Sequence, residues 1–435
     1  MKSICVSLLL GASSVVLAAS SVAEAPESTL LPSSSAIAAA QATAKAISPV
    51  SNVQGKSFQR FYQVWLENTD YSAAAGDPNQ IALSKLGITL TNYWAVTHPS
   101  EPNYVASVAG DYFGMDNDDF HAIPSNISTV VDLLDTKGIS WAEYQEGAPY
   151  AGFQGFNYSN QKTFANNYVR KHNPLIIFQS VTSNATRISQ IKNFTSLASD
   201  VAANTLPQWA FITPNMTNDG HDTNVTFASK WESSAIGALI NNTSFMNGTL
   251  LLLTFDEDET YTQQNKVFSI LIGGPDVIPS SLVGTTDNTF YDHYSTISSV
   301  AVNWGLPSLG RWDCNANVFA VVANKTGYTN QNVSTTSLYN NQSYPGPLSD
   351  TSYIPVWPVP NTSAKCASGQ GVLPAVVKTW GNQTQTYNYT SVVPSASNGT
   401  STSSSPAASS SKAGASTYEV SGALAVLAGF AAMLV

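Results

Sequence analysis

Four short apolar runs of this sequence are each followed at once by polar residues that could do chemistry. The groups that follow them are Glu67-Asn68, His98-Pro-Ser100, Asn215 to His221, and Asp256-Glu-Asp-Glu259. They combine carboxylates and amides, which bind hard cations, with a serine hydroxyl that could act as a nucleophile. These residues predict a catalytic site if the fold brings the four groups together.

The acidic run Asp256-Glu-Asp-Glu259 has two interpretations. A charge run is usually a solvated turn, but this one directly follows the uncharged run Leu251-Leu-Leu-Thr-Phe255. Adjacent carboxylates at the end of a buried strand repel one another unless a cation offsets their charge. We therefore expect Asp256 and Glu257, with Glu67 and Asn68, to bind one divalent metal ion. Because these donors are all oxygen atoms, Mg²⁺, Ca²⁺ or Mn²⁺ is favoured over Zn²⁺.

Ser100 lies between two prolines in the segment Thr97-His-Pro-Ser-Glu-Pro-Asn103, ahead of a stretch of small residues. This arrangement predicts a helix that begins near the serine. From this segment alone, a helix cap would be the simpler role for Ser100. A helix N-terminus also attracts anions through its backbone N–H groups and its dipole. A phosphate group held there beside a cation would be positioned for attack by the Ser100 hydroxyl.

Alternating strand-like and helix-like segments must position these residues. Runs rich in β-formers predict strands at residues 61–66, 87–96, 139–144, 209–212, 250–255 and 268–272. Helix-like stretches are found at residues 127–136, 186–202 and 228–240. This order is typical of an α/β fold with a mostly parallel central sheet and helices on both faces. Ligands bind such sheets beyond the carboxyl ends of the strands, where all four polar groups stand. After about residue 310 the sequence predicts an irregular, Asn/Ser-rich C-terminal extension, with short strands up to residue 389.

The two ends of the 435-residue chain predict targeting segments. Residues 1–18 have the basic start, apolar stretch and small residues of a signal peptide. Residues 19–55 predict a flexible Ala/Ser-rich leader, residues 56–390 the catalytic domain and residues 391–415 a Ser-rich stalk. Residues 416–435 predict a GPI-anchor signal, and the alternative, a membrane helix, lacks a basic sequence after the tail. The expected localisation is secreted, at the cell surface or cell wall, with the anchor in the membrane.

Composition agrees with an extracellular enzyme. The net charge is −10 with no basic cluster, which argues against nucleic acid as a partner. Charged residues are only 11%, and frequent Asn-x-Ser/Thr sequons predict N-glycans that would keep the surface soluble. No sequon falls within residues 67–122 or 250–323, which contain most of the motifs, although Asn215 is one. Cys314 and Cys366 are expected to pair in an oxidising compartment.

Six motifs in order resemble the phosphoesterase family of secreted acid phosphatases and bacterial phospholipases C, within the alkaline-phosphatase-like superfamily. They are LENTDY at 66–71, THPSEPNYVA at 97–106, RKHNPLIIF at 170–178, TPNMTNDGHD at 213–222, TFDEDE at 254–259 and YDHYS at 291–295. Each motif is modest alone, but their order over roughly residues 58–313 is specific. The resemblance implies an alkaline-phosphatase-like fold and the hydrolysis of phosphoric esters.

The resemblance also implies roles for individual residues. Glu67-Asn68 and Asp256-Glu257 match the metal-binding pairs of the family. Ser100 matches the hydroxyl nucleophile of the Ser/Thr-x-Pro-Asn pattern. Asn103, the asparagine of the same pattern, is expected to bind a phosphoryl oxygen.

Basic residues complete the predicted site. Lys171 and His172 match a basic pair of the family and are expected to bind phosphate. His293 matches a histidine that faces the phosphate or the metal, and His221 lies among acidic residues within a motif. Either His221 or His293 is a candidate catalytic proton donor. The role of His98 stays open, and His121 is expected to be structural.

One motif departs from the family pattern. Two-zinc members of the superfamily carry an Asp and a His, four residues apart, after the strand that residues 209–212 would form. Here Asn215 and Asp219 stand at those positions, with His221 slightly further on. We therefore expect one tightly held ion rather than two.

The sequence thus predicts an acid phosphatase that hydrolyses phosphate monoesters through a phosphoserine intermediate. A cation would polarise the phosphoryl group, and a histidine that must be protonated would give an acidic optimum. A phosphodiesterase or phospholipase C on the same fold is one alternative. A non-catalytic GPI-anchored wall glycoprotein is another, but it leaves the polar groups after the strands unexplained. A glycan-remodelling enzyme with paired carboxylates gives Ser100 and Asn103 no role.

Overall fold

A nine-stranded sheet forms the centre of the computed structural model, which describes residues 32–393. The chain contains the strands β1 Arg60–Leu66, β2 Ile88–Trp94, β3 Trp141–Gln145, β4 Asn157–Tyr158, β5 Tyr168–Val169, β6 Ile191–Asn193, β7 Trp209–Thr213, β8 Thr249–Phe255, β9 Lys266–Gly273, β10 Thr285–Asp287 and β11 Tyr291–Asp292. Strands β4 and β5 pair only with each other, and the other nine strands form the main sheet.

The main sheet is parallel except at one strand. Its order is β10-β2-β9-β8-β1-β7-β3-β6, with β11 also paired to β2. Strand β9 runs antiparallel to both of its neighbours, β2 and β8. The remaining pairs of the main sheet are parallel. The predicted α/β class with a mostly parallel central sheet is therefore confirmed.

Strands β1 and β8 lie side by side at the centre and are buried on both faces. All residues of β8 are buried, and in β1 only Arg60 is partly exposed. Successive side chains of a strand point to opposite faces, so continuous burial requires cover on both sides of the sheet. The uncharged sequence Leu250-Leu-Leu-Leu-Thr-Phe255 fits this position because neither face reaches water.

Helices cover and connect the strands. They are α1 Ser34–Thr43, α2 Tyr71–Gly76, α3 Pro78–Ser84, α4 Ser100–Ala109, α5 Val130–Asp135, α6 Gln179–Thr182, α7 Ala185–Ile188, α8 Thr195–Ala203, α9 Val225–Ile240, α10 Thr243–Met246, α11 Ser295–Trp304, α12 Ala320–Thr326 and α13 Pro374–Trp380. Short 3₁₀ turns occur at Arg170–His172, Pro174–Ile177, Ser280–Leu282 and Trp312–Cys314. Among residues 32–393, no helix has both the length and the apolar character needed to span a membrane.

The register of the sheet brings the polar groups to one edge. Leu66 pairs with Phe255, and Val64 pairs with Ile212, so β1, β8 and β7 end beside one another. Glu67, Asp256 and the segment after Thr213 therefore start from neighbouring positions. Strand β2 points the same way and is followed by the turn that leads into α4, which begins at Ser100.

Residues 186–202 and the expected leader differ from the sequence-based expectation. Residues 186–202 form α7, β6 and α8 instead of one helix, because Ile191 pairs with Glu143 at the edge of the sheet. The described part of the expected leader contains helix α1, and Ser48 and Ser51 bond to the side chains of Asp200 and Gln208. The predicted signal peptide, most of the stalk and the GPI-anchor signal lie outside the described residues.

The C-terminal extension is held by contacts other than strands. Between residues 310 and 393 the structure contains α12, α13 and a 3₁₀ turn, but none of the predicted short strands. Cys314 and Cys366 form a disulfide bond, which confirms their predicted pairing. The sequence around them is rich in Asn, Ser, Thr and Pro, which favour turns over regular elements.

Candidate active site

Glu67 and Ser100 face each other at the carboxyl edge of the sheet. Glu67 directly follows β1 and is fully buried, and Ser100 is the first residue of α4 and is 1% exposed. The Ser100 Oγ donates a hydrogen bond to Glu67 Oε2 over 3.0 Å and lies 3.4 Å from Asn68 Oδ1. Tyr104 OH donates to the other oxygen of Glu67 over 2.6 Å. The serine hydroxyl therefore has a fixed acceptor at the point where β1 ends.

Asp256 and Glu257 close the other side of this group. Both are fully buried, and Asp256 Oδ1 accepts the backbone N–H groups of Asn68 and Glu257 over 3.2 and 2.7 Å. Asp256 Oδ2 and both oxygens of Glu257 have no hydrogen-bond partner in the part of the chain that the structure describes. The structure thus brings all four predicted metal ligands and the predicted nucleophile into one cluster.

A second group of possible metal ligands shares Glu67. His172 Nε2 lies 3.1 Å from Glu67 Oε1, and His172 Nδ1 lies 3.4 Å from Asp219 Oδ2. One donor atom of each of these three buried residues lies within 4.8 Å of the others. Asp219 follows β7, and His172 lies in the 3₁₀ turn at Arg170–His172. The edge of the sheet and a segment outside the sheet therefore both contribute ligands to this group.

Burial disfavours the charged form of the carboxylates in this cluster. Burial first, and then the neighbouring carboxylate Asp256, raise the pKa of Glu67 well above its ordinary value. Burial also raises the pKa of Asp219 strongly, with the charge of Glu67 as the next cause. The pKa of Asp256 is raised in the same way by burial and by Glu257. Buried carboxylates of this kind are stable as anions only beside a positive charge.

The residues present therefore fit a divalent cation. The orphaned oxygens of Asp219, Asp256 and Glu257, together with both unpartnered nitrogens of His172, face the cluster as unsatisfied donors or acceptors. A cation held by Glu67, His172 and Asp219 would satisfy the atoms of His172 and Asp219 and would offset the charge of the neighbouring carboxylates. The donor set contains an imidazole as well as oxygen, so it suits Zn²⁺ or Mn²⁺ as well as the harder ions that the sequence favoured.

The side-chain amide of Asn103 is occupied by backbone contacts, whereas the sequence predicts that it binds a phosphoryl oxygen. Its Oδ1 accepts the N–H groups of Val96 and Thr97 over 2.9 and 3.3 Å. Its Nδ2 donates to the carbonyls of Thr97 and Pro99 over 2.8 and 3.1 Å. Because both amide hydrogens are used, no donor remains for a phosphoryl oxygen. Asn103 instead fixes the turn that carries Ser100 from β2 into α4.

Lys171 and His221 lie together at the open side of the cluster. Lys171 Nζ is 3.5 Å from His221 Nε2 and 3.0 Å from Asp118 Oδ2. Burial lowers the pKa of Lys171, but Asp118 and Glu67 outweigh it and raise the pKa above its ordinary value. The His221 side chain is 32% exposed. A cationic lysine and a solvent-facing histidine are thus available to a phosphate group and its leaving alcohol.

His293 is not placed to donate a proton to a substrate. It is fully buried, with Nε2 2.5 Å from the Asp256 carbonyl and Nδ1 3.4 Å from Tyr93 OH. Its ring packs on Trp65 at a centroid distance of 4.3 Å. Both nitrogens are directed at protein groups, so His293 positions the backbone that carries Asp256. This corrects the expected catalytic role.

His98, left open by the sequence, contacts the acidic run. Its Nδ1 is 2.6 Å from Glu257 Oε2, a contact that is an ion pair when the imidazole is protonated. Burial lowers the pKa of His98 to about 4, while Asp258 and Asn341 act in the opposite direction. The ring stacks on Tyr261 at 3.9 Å. His98 therefore connects the carboxylates to an aromatic surface.

Sequence reasoning missed three features of this site. His172 was assigned to phosphate, yet it lies between Glu67 and Asp219, because the covering segment turns its side chain inward. Asp118 was not predicted, although it accepts the Glu101 N–H at the start of α4 over 2.9 Å as well as Lys171. Its neighbours in Asp116-Asn-Asp-Asp119 look like an ordinary polar loop. The pairing of the Asp219 and Glu67 backbones (2.9 Å) is not visible in sequence spacing.

A serine hydroxyl at a helix start, surrounded by buried carboxylates at the edge of a parallel sheet, defines a hydrolase of phosphoric esters. The model of the phosphoesterase family matches residues 54–307, and the chain belongs to this family. This confirms the resemblance and the predicted enzyme class.

Two relatives illustrate this membership, and one solved structure shows a weaker likeness. An acid phosphatase of Aspergillus fumigatus is 62% identical over 366 residues, covering 83% of this chain and 81% of the relative. A phosphate-repressible acid phosphatase of Penicillium chrysogenum is 55% identical over 363 residues, covering 83% and 87%. A solved structure of a protein in the alkaline phosphatase superfamily from Vibrio parahaemolyticus is 10% identical, covers 61% of this chain and 72% of its own, and has a TM-score of 0.37.

Proposed function

We propose that this enzyme is an acid phosphatase that hydrolyses phosphate monoesters through a phosphoserine at Ser100. The observation that carries the proposal is the buried Ser100 hydroxyl, held 3.0 Å from Glu67 Oε2 at the start of α4. Relatives at 62% and 55% identity are described as acid phosphatases, which supports the choice of substrate class.

Each residue of the site has a separate role in the proposed reaction. Glu67 accepts the hydrogen bond of Ser100 Oγ and so directs the oxygen lone pair toward a phosphoryl group at the helix N-terminus. Lys171, at the open side of the cluster, offsets the charge of the phosphoryl oxygens. His221 gives a proton to the oxygen of the leaving alcohol. The Ser100 proton passes to Glu67 in this first step. Water then attacks the phosphoserine and gives a proton to His221, and Ser100 leaves as the hydroxyl with the proton returned by Glu67.

A divalent cation is part of the proposal. Glu67, His172 and Asp219 would hold it, and Asn68, Asp256 and Glu257 form the adjoining group on the Ser100 side. When bound, such a cation polarises the phosphoryl group and favours the ionised serine oxygen. Metal analysis of the purified enzyme distinguishes one ion per chain from two. A fully active enzyme with neither would contradict this part of the proposal.

The nucleophile is tested by Ser100→Ala. Loss of the hydroxyl removes the covalent step, so kcat on a chromogenic monoester should fall by at least about 10³-fold. Ser107→Ala is the matched control, because Ser107 is a buried serine of the same helix whose Oγ only bonds to the Tyr104 carbonyl.

Two further measurements, made on the wild type, accompany the test of Ser100→Ala. Acid quenching of the wild type during turnover should trap phosphate on the peptide that contains Ser100, as seen by mass spectrometry. Monoester and diester substrates are compared side by side, and faster diester cleavage would favour the phospholipase-like alternative. Retained turnover by Ser100→Ala would refute the assignment of the nucleophile.

We also propose that the enzyme is secreted, N-glycosylated and bound to the cell surface by a GPI anchor. The support is the signal-like start, the sequons and the small-residue and apolar tail of the sequence. A phosphatidylinositol-specific phospholipase should release activity from intact cells, and an endoglycosidase should lower the apparent mass. Activity that stays in the cytosol would overturn this proposal without affecting the chemistry.

A further inference from the structure

A cavity of about 560 Å³ opens beside the catalytic edge. Six aromatic residues line it, namely Tyr112, Tyr261, Trp312, Tyr339, Tyr344 and Tyr387. The rest of the lining is apolar, hydroxyl or amide, and within residues 32–393 no Asp, Glu, Lys, Arg or His belongs to it. Ligand pockets are typically about 300–1,000 Å³, so the volume suits a small organic molecule.

The cavity adjoins the proposed active site through two contacts. Val96, which lines the cavity, belongs to the turn that Asn103 fixes ahead of Ser100. Tyr261 stacks on His98 at 3.9 Å, and His98 in turn lies 2.6 Å from Glu257. Burial raises the pKa of Tyr261, and the charges of Glu257, Asp118 and Asp256 add to this effect. The phenol is therefore within electrostatic reach of the catalytic carboxylates.

One wall of the cavity is rigid because a buried ion pair anchors it. Arg311 Nη1 bonds to Asp111 Oδ2 over 3.0 Å, and Tyr344 OH donates to the same carboxylate. Trp312 follows Arg311 directly, and Tyr387 OH donates to the Pro345 carbonyl over 2.6 Å. Aromatic walls that are already ordered lose little entropy when a ligand binds.

The other side of the cavity is open and amide-rich. Tyr261 and Tyr339 are 50% and 53% exposed, so part of each ring is accessible from solvent. Asn341 Nδ2 donates to the carbonyls of Tyr261 and Gln263 over 2.7 and 2.5 Å, which ties the two sides together. Gln342 also lines the cavity. Exposed ring faces beside amide groups can stack on a flat ligand and bond to its edge.

We infer that this cavity binds the alcohol part of the substrate, and that it prefers an uncharged flat ring such as an aryl or nucleoside group. This inference rests on the proposed function, because the phosphoryl group must lie at Ser100 while the ring occupies the cavity. The walls contributed by residues 312 and 339–387 lie beyond the range that the family model matches. Discrimination among leaving groups therefore depends in part on the C-terminal extension, and the chemical step comes from the sheet edge.

The experiment compares Tyr339→Ala with the wild type on phenyl phosphate and on glycerol 2-phosphate. Loss of a stacking face should lower the ratio of kcat/KM for phenyl over glycerol phosphate by about tenfold. Tyr339→Phe should keep the ratio, because it keeps the ring. Tyr353→Ala is the matched control, since Tyr353 is a 64% exposed tyrosine of the same extension outside the cavity.

The outcomes separate this inference from the proposed function. An unchanged ratio, or an equal loss on both substrates in a folded Tyr339→Ala protein, overturns the ring pocket but leaves the phosphatase intact. If Tyr339→Ala does not fold, Tyr339→Leu supplies the same comparison, because it keeps apolar bulk and lacks a flat face. Activity of Ser100→Ala on both esters would instead overturn the phosphoserine mechanism.

Discussion

The catalytic edge and the C-terminal wall, meaning the cavity lining contributed by residues 312 and 339–387, are linked through the His98–Tyr261 stack but are built by different means. The catalytic edge consists of carboxylates that directly follow β1, β7 and β8, so hydrogen bonds of the sheet fix their spacing. The C-terminal wall has no strand between residues 310 and 393 and depends on side-chain contacts, above all the Asp111–Arg311 pair. The chemistry is therefore attached to the regular part of the fold, and the recognition surface to the irregular part.

The largest expected effect is at the catalytic edge. Glu67→Gln removes the charge that faces Ser100, Tyr104 and His172, so activity should fall at least about 100-fold with loss of bound metal. Glu143→Gln is the control, because Glu143 is an equally buried glutamate of the same sheet whose Oε1 bonds only to the Leu175 N–H. Steady-state kinetics and metal analysis of both variants decide the point. Equal losses would mean that any buried glutamate matters equally.

An intermediate effect is expected at the C-terminal wall. Asp111→Asn leaves the buried Arg311 guanidinium without its counter-charge, which should cost about 3–5 kcal/mol in the free energy of unfolding. Limited proteolysis should then cut first within residues 310–393. Asp287→Asn is the comparison variant, since Asp287 also accepts a tyrosine hydroxyl, from Tyr291, over 2.7 Å but faces no buried arginine. Comparable thermal shifts in both variants would contradict an ion-pair anchor.

The smallest effect concerns a buried carboxyl remote from both regions. Burial raises the pKa of Glu232 in α9 to about 8, although Gln80 donates a hydrogen bond to it over 2.8 Å. The folded state therefore binds a proton that the unfolded state releases near pH 4.5. Stability is greatest below that pH and declines as the pH rises toward 8.

Glu232→Gln should remove this dependence. The difference in unfolding free energy between pH 5 and pH 7 should shrink by about 2 kcal/mol, as measured by denaturant titration at both pH values. An unchanged difference would show that Glu232 ionises freely. The same titrations on Glu143→Gln then show whether burial alone sets such behaviour in the sheet as well.

The sequence predicted correctly the strands whose apolar runs are buried in the sheet and the polar residues that directly follow them. Six predicted strands match β1, β2, β3, β7, β8 and β9, and the residues after four apolar runs do meet. Apolar runs bounded by polar residues are strong signals because a strand buried on both faces tolerates little else.

The remaining features depend on contacts between distant segments. Nothing in the sequence around Asn103 shows that its amide would be used up by the turn at Val96 and Thr97. The inward direction of His172 depends on how the 3₁₀ turn at Arg170–His172 packs over β7, and the strand at Ile191 depends on its partner Glu143. The residues of the C-terminal wall follow no periodic hydrophobic pattern in the sequence. Their positions depend on contacts with Asp111 and on the disulfide bond, which sequence spacing does not show.

The side-chain amide of Asn341 is a glycosylation acceptor in the sequence and a hydrogen-bond donor in the folded protein. It stands in an Asn-x-Ser sequon, and sugar transfer would leave its Nδ2 with a single hydrogen where the folded protein uses two. A molecule that received a glycan at this asparagine before folding could make only one of the two hydrogen bonds from Asn341 Nδ2 to the carbonyls of Tyr261 and Gln263. Expression hosts that modify this acceptor to different extents would then yield mixtures in which only the unmodified fraction makes both bonds at the edge of the cavity.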